Sequence, residues 1–153
     1  MDFKTVTPEA FGGSLKGIGL NIIARDVVSL AGFLSDVFGM QAHRVTADFA
    51  IMAYHGQMFQ IHADPTYAAH PLLGLLPEAG ARGAGAEFRL YETDPDQAAA
   101  RARALGGHIL QEPTDKPHGL RETCILCENG YAWVASRPLA AAKETLPDQT
   151  SGR

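Results

Sequence analysis

One structural pattern occurs twice in this 153-residue chain, over 16–62 and again over 86–138, and a duplicated unit leaves few folds open to it. The first copy begins with Gly17–Arg25 (G-I-G-L-N-I-I-A-R), an apolar run that reads as a buried strand. Asp26 then offers a side-chain acceptor suited to capping a helix over Val27–Phe38. Within that helix Leu30, Phe33, Leu34, Val37 and Phe38 fall at helical spacing, and Gly39 suits the left-handed position that ends it. Gln41–Val45, Phe49–Tyr54 and Gln57–His62 follow as short strands, with His55-Gly56 as a tight turn. The order is βαβββ.

The second copy repeats it. Glu87–Glu92 reads as a strand; Asp94, Pro95 and Gln97 then fit the N-cap, N1 and N3 positions of a capping box. An alanine-rich helix over Gln97–Leu105 ends at Gly106-Gly107, and His108–Gln111, Glu122–Cys127 and Tyr131–Arg137 supply three more strands. A single βαβββ unit leaves one face of its sheet bare, so the two copies are expected to pair. The predicted class is therefore α+β, two βαβββ modules forming a curved mixed-sheet cup, with the function in the cleft between them. Residues 1–15 form a weakly patterned lead, 63–85 a connecting segment that could cover the cleft, and 139–153 a flexible tail.

Composition excludes several functions. A formal charge of −4 with both signs interspersed provides no basic stripe for nucleic acid. The longest apolar runs fall far short of the roughly 20 residues a membrane helix needs, and no secretory leader is visible, so a cytoplasmic protein is expected. Cys124 and Cys127 are spaced C-x-x-C, but on a strand they point to opposite faces, and no second such pair exists to complete a zinc site. They read as two reduced thiols. The glycines at 80–85 precede a strand rather than open a helix, which removes a phosphate-loop reading.

The two copies together resemble the glyoxalase and bleomycin-resistance superfamily, also called vicinal oxygen chelate proteins. R-D-V-V-S-L-A-G-F-L-S-D-V-F-G-M at 25–40 is similar to that family's strand-to-helix signature, with Leu34 where a tyrosine is usual. K-P-H-G-L-R-E-T-C-I-L-C-E-N-G-Y-A-W-V at 116–134 is similar to its second-module segment, with His118 in place of an aromatic residue and Cys127-Glu128 in place of Asp-Pro. The resemblance implies a cup that in metal-dependent relatives draws up to four ligands from the first and last strands of the modules. Seven residues before each capping aspartate and four after each turn glycine lie Gly19 and Gln60, then Glu87 and Val134. Gly19 has no side chain and Val134 cannot ligate, so Gln60 and Glu87 remain as weak metal candidates and no metal cofactor is expected.

Strand parity adds Asn21, Ile23, Met58 and His62 to Gly19 and Gln60 on the cleft face, and Arg89, Tyr91, Ala132 and Ser136 to Glu87 and Val134. Leu20, Ile22, Phe59, Ile61, Phe88, Leu90 and Trp133 should instead pack beneath the helices. The ligand-binding candidates are therefore Asn21, Met58, Gln60, His62, Glu87, Arg89, Tyr91 and the loop residue His118, each of which also has an ordinary structural explanation. For Glu87 that explanation is an ion pair with Arg89; otherwise it could serve as a catalytic base, a metal ligand or a cation anchor. The leading expectation is a metal-independent binder of a small, partly aromatic or cationic molecule. Alternatives are a glyoxalase-type lyase, isomerase or dioxygenase using a divalent metal, and a pure interaction module. The resemblance also implies a homodimer.

Overall fold

The computed structural model describes residues 1–83 and 85–140. A short helix, α1 (Pro8–Ser14), precedes the first module, which comprises β1 (Asn21–Ala24), α2 (Val27–Phe38), β2 (Gln41–His43), β3 (Phe49–Tyr54) and β4 (Gln57–Ala63). Two 3₁₀ turns, Asp64–Tyr67 and Pro71–Leu75, lie in the connecting segment. The second module comprises β5 (Glu87–Leu90), α3 (Pro95–Ala104), β6 (His108–Asp115), β7 (Leu120–Leu126) and β8 (Ala132–Pro138). Both are βαβββ units, and each closes its own four-stranded mixed sheet, in the orders β1-β4-β3-β2 and β5-β8-β7-β6. The first strand runs parallel to the last in each, and the remaining pairs are antiparallel.

The helix starts follow from their caps. Asp26 accepts from the Ser29 amide at 2.9 Å, and Asp94 from the amides of Asp96 and Gln97 at 2.9 and 3.2 Å. Each satisfies donors that the first turn cannot pair internally. Asp94→Ala is expected to cost about 1 kcal/mol, measured as a shift in the urea-denaturation midpoint. His55 and Gly56, with φ of 47° and 77°, form the turn between β3 and β4; two positive φ values match the twist of a two-residue hairpin.

Several boundaries differ from the sequence expectation. β1 begins at Asn21, so Gly19 precedes the strand; further upstream Gly17 turns the chain with a φ of 71°. β5 stops at Leu90, and Glu92 turns the chain with a φ of 54°. β6 runs on through Pro113, which an edge strand tolerates because its unpaired side needs no donor. From residue 141 onward the predicted tail lies outside the described residues.

The helix-bearing faces of the two sheets converge on one core. α2 and α3 touch each other, and Trp133 of β8 packs on Phe88 of its own sheet at 4.8 Å between ring centroids. Across the seam it meets Phe59 at 5.8 Å and Phe38 at 6.3 Å. Leu34 and Ile61 are fully buried, and Ile22, Leu90 and Ala135 belong to the same cluster. Leu20, Phe59 and Phe88 are partly buried against it, so the parity assignment for the helix side holds.

The seam itself is reciprocal. The backbone amide of Arg25, just before the α2 cap, donates to the Asn129 side chain in the turn before β8, at 3.1 Å. Thr93, just before the α3 cap, is hydrogen-bonded to the hydroxyl of Tyr54 beside the turn before β4. The connecting segment is strapped to this seam. Arg82, with a side chain 2% exposed, pairs with both carboxylate oxygens of Asp64 at 2.6 and 2.8 Å and holds that carboxyl below its usual range. Arg25 donates to the carbonyls of Pro77, Glu78 and Gly80. A Cβ on Gly130 would meet Ala81 at 2.5 Å, so glycine there lets the segment lie against the turn. No helix of the described residues is long and apolar enough to cross a membrane.

Candidate functional site

On the second sheet, the face turned away from the shared core carries a connected polar cluster. Arg89 donates to Glu122 across β8, to Glu87 at 3.3 Å and to the hydroxyl of Tyr91 at 3.2 Å. His118 Nε2 lies 3.0 Å from the second Glu122 oxygen, and a carboxylate that only accepts requires the ring proton on that nitrogen. Register explains the reach: Arg89 is aligned with Val134, and Glu122 with Ser136, so β8 presents two small side chains beneath the bridging guanidinium. Glu122 is 4% exposed, whereas the Glu87 side chain is 56% exposed. The cluster thus holds two carboxylates and one guanidinium, with the inner carboxylate committed to structure and the outer one open to solvent. Cys124, beside it, is a free thiol whose pKa is pushed up by burial and then by the Glu87 charge.

Four of the predicted residues, Met58, Glu87, Arg89 and Tyr91, line one groove between the modules, of about 570 Å³. Its floor is formed by Leu20, Phe59, Phe88 and the buried Trp133, residues of helix-side parity, where β1 starts late and leaves the beginning of β4 uncovered. Tyr91, 56% exposed, carries the Arg89 guanidinium 5.7 Å from its ring centre. An apolar, aromatic floor with the solvent-facing carboxylates of Glu87 and Glu92 in the lining can hold a flat cation by stacking and charge. His118 joins the same network through Glu122 but does not line the groove.

The other predicted residues sit apart. Asn21 donates to the hydroxyl of Tyr67 at 3.3 Å, and His62 packs between Phe49 and Tyr67 with ring centroids 5.2 and 5.5 Å away. Burial pushes the His62 imidazole below its ordinary pKa, and its Nε2 is buried without a hydrogen-bond partner. Gln60 lines two grooves on the first module, with Met58 at one and Phe49 and Ile51 at the other. Ile23 and Val134 are 3% exposed and Ser136 is fully buried, so none of the three offers surface to a ligand. Glu122 was missed by residue typing. The available signal was its position two before Cys124 in an apolar strand, on the parity shared with the cleft face.

The donor set can be tested against a divalent metal. Of the four positions that family resemblance assigns to ligands, Gly19 has open space where a side chain would be and Val134 is buried hydrocarbon. Gln60 and Glu87 remain, one neutral and one charged oxygen donor, and they line different grooves. Among the described residues no three His, Cys, Asp or Glu side chains converge as an ion site would require. The four positions thus offer two oxygen donors, fewer than the three or more that a divalent metal site draws on.

Comparison with known proteins agrees with the architecture. Residues 19–134 match the family model described as Glyoxalase/Bleomycin resistance protein/Dioxygenase superfamily. A glyoxalase/bleomycin resistance protein/dioxygenase family enzyme from Burkholderia phytofirmans PsJN is 18% identical, with a TM-score of 0.67, over 78% of this chain and 96% of its own. TioX from Micromonospora sp. ML1 is 21% identical, with a TM-score of 0.59, over 82% of this chain and 100% of its own. The fosfomycin resistance protein FosX from Mesorhizobium loti is 14% identical, with a TM-score of 0.58, over 83% and 96%. At these identities the structures speak to the fold alone. No curated protein matches the sequence.

Proposed function

The chain belongs to the glyoxalase/bleomycin resistance protein/dioxygenase superfamily, and from that premise we propose that it binds a small aromatic cation in the groove between its modules, without a catalytic metal. The observation that carries this reading is the pairing of an aromatic floor, Phe59, Phe88 and Trp133, with the solvent-facing carboxylate of Glu87 on the rim. The scaffold by itself names no reaction, so the groove's chemistry has to decide. Arg89 is shared among Glu122, Glu87 and Tyr91, which leaves the cluster with more carboxylate than guanidinium and favours a positive guest. Glu87 anchors the charge, Tyr91 and the floor take the ring, and Glu122 with His118 keeps Arg89 in place.

Trp133 lines the groove and is the chain's one tryptophan, so its fluorescence reports occupancy. Titration with N-methylquinolinium is expected to saturate at one equivalent and to be at least tenfold tighter than titration with neutral quinoline. Glu87→Ala should remove that preference, a tenfold change corresponding to about 1.4 kcal/mol. Equal binding of both probes, or purified protein whose ligand binding is abolished when a stoichiometric divalent metal is stripped from it, would sink the proposal.

A further inference from the structure

We infer that the cleft between the start of α2 and the end of α3 is a second binding site, for a primary alkylammonium ion. It holds about 450 Å³, within the size range of small-ligand sites. α2 lines it through Ser29, Leu30 and Phe33, the end of α3 through Leu105, and the turn after β7 through Cys127 and Glu128. Glu128 directly precedes Asn129, so the cleft opens beside the join that Asn129 makes with Arg25.

The hydrogen-bonding groups of this lining fix the sign of the guest. The amides of Ser29 and Leu30 already donate to Asp26, and those of Leu105, Gly106 and Gly107 to the carbonyls of Arg101, Ala102 and Arg103. Cys127 gives its amide to the Tyr131 carbonyl. No lysine or arginine lines the cleft, and His108 is its only side chain able to take a positive charge. An anion would find neither a spare amide at these positions nor a permanent cation. Acceptors, in contrast, are available. Glu128 is exposed and forms no ion pair among the described residues, and the Ser29 hydroxyl donates to it over 3.4 Å. The end of α3 adds the partial negative charge of a helix C-terminus. An ammonium group has three N–H donors, and two oxygens 3.4 Å apart are within reach of one nitrogen. A quaternary nitrogen, which suits the aromatic groove, has no donor to give them. The hydrocarbon arm follows from Leu30, Phe33 and Leu105; Leu105 is 52% exposed, and an alkyl chain laid on it takes apolar surface out of water.

The test titrates n-hexylamine, and 1-hexanol as its uncharged counterpart, into the full chain by calorimetry at pH 8. One saturable amine site is expected, at least tenfold tighter than the alcohol. Glu128→Gln should remove that preference. Ser29→Phe, which fills the cleft from an exposed position, should weaken the amine at least tenfold, and thermal melts verify that both variants fold. Glu87→Ala should leave hexylamine within twofold, and Glu128→Gln should leave N-methylquinolinium within twofold, so this site and the inter-module groove can fail separately. Equal binding of amine and alcohol, the lack of a saturable amine site, folded variants that bind the amine as the parent does, or its loss in Glu87→Ala would each overturn the assignment.

Discussion

Trp133→Ala is expected to lower stability by about 4 kcal/mol and the melting temperature by roughly 10 °C. The side chain is 1% exposed and touches α2, β4 and β5, so its removal leaves a hole where the two modules meet, not one inside a single module. Large-to-small changes cost most where neighbours cannot collapse inward, and Phe38, Phe59 and Phe88 are held by three different elements. Trp133→Phe should cost far less. The indole Nε1 is buried without a partner, so the ring swap forfeits no hydrogen bond. Calorimetry of both variants checks this; equal losses would mean that the seam does not depend on the bulk of this ring.

The second large effect is expected at Glu122. Glu122→Ala takes away the carboxylate shared by Arg89 and His118, and breaking a buried pair from one side costs ~3–5 kcal/mol. Here Glu87 remains within 3.3 Å of Arg89 and the guanidinium is partly exposed, which brings the expectation down to about 2 kcal/mol. Glu122→Gln keeps shape and one acceptor and should lose about half as much. Both changes free Arg89 to neutralise Glu87, so affinity for N-methylquinolinium should fall even though Glu122 does not line the groove. Urea denaturation read alongside the probe titration separates the two effects; a variant that loses stability but keeps full affinity would show that Glu122 does not position Arg89 for binding.

Local signals carried most of the architecture into the sequence. Asp26 and Asp94 mark both helix starts because an N-cap is chemistry of neighbouring residues, and Gly39 marks a stop for the same reason. Period-two parity assigned Trp133, Phe59 and Ile61 to the helix side correctly. The candidate site was less legible, because it depends on which strand lies beside which. Arg89 reaches Glu122 across β8 only in one register, and no local pattern around Glu122 encodes that partner. Likewise α1 has a sequence, P-E-A-F-G-G-S, that reads as a poor helix; it forms because Phe11 finds a distant apolar face, a tertiary contact that overrides propensity. The late start of β1 is likewise not announced by the apolar run over 17–25, which reads as one continuous strand.

The reciprocal seam also bears on how such a chain can change. Each module's helix start is gripped by the other's turn, through Arg25 with Asn129 and Thr93 with Tyr54, and neither contact uses a residue from the outer face of either sheet. These two hydrogen bonds therefore do not draw on the outer-face side chains Glu87, Arg89 and Tyr91. Substitutions on the outer faces leave the join intact, so the two copies are free to diverge in chemistry while remaining mechanically equivalent. Gly19 against Glu87 and Gln60 against Val134 are such divergences, and a duplication that appears redundant in its topology provides two surfaces that can be altered one at a time.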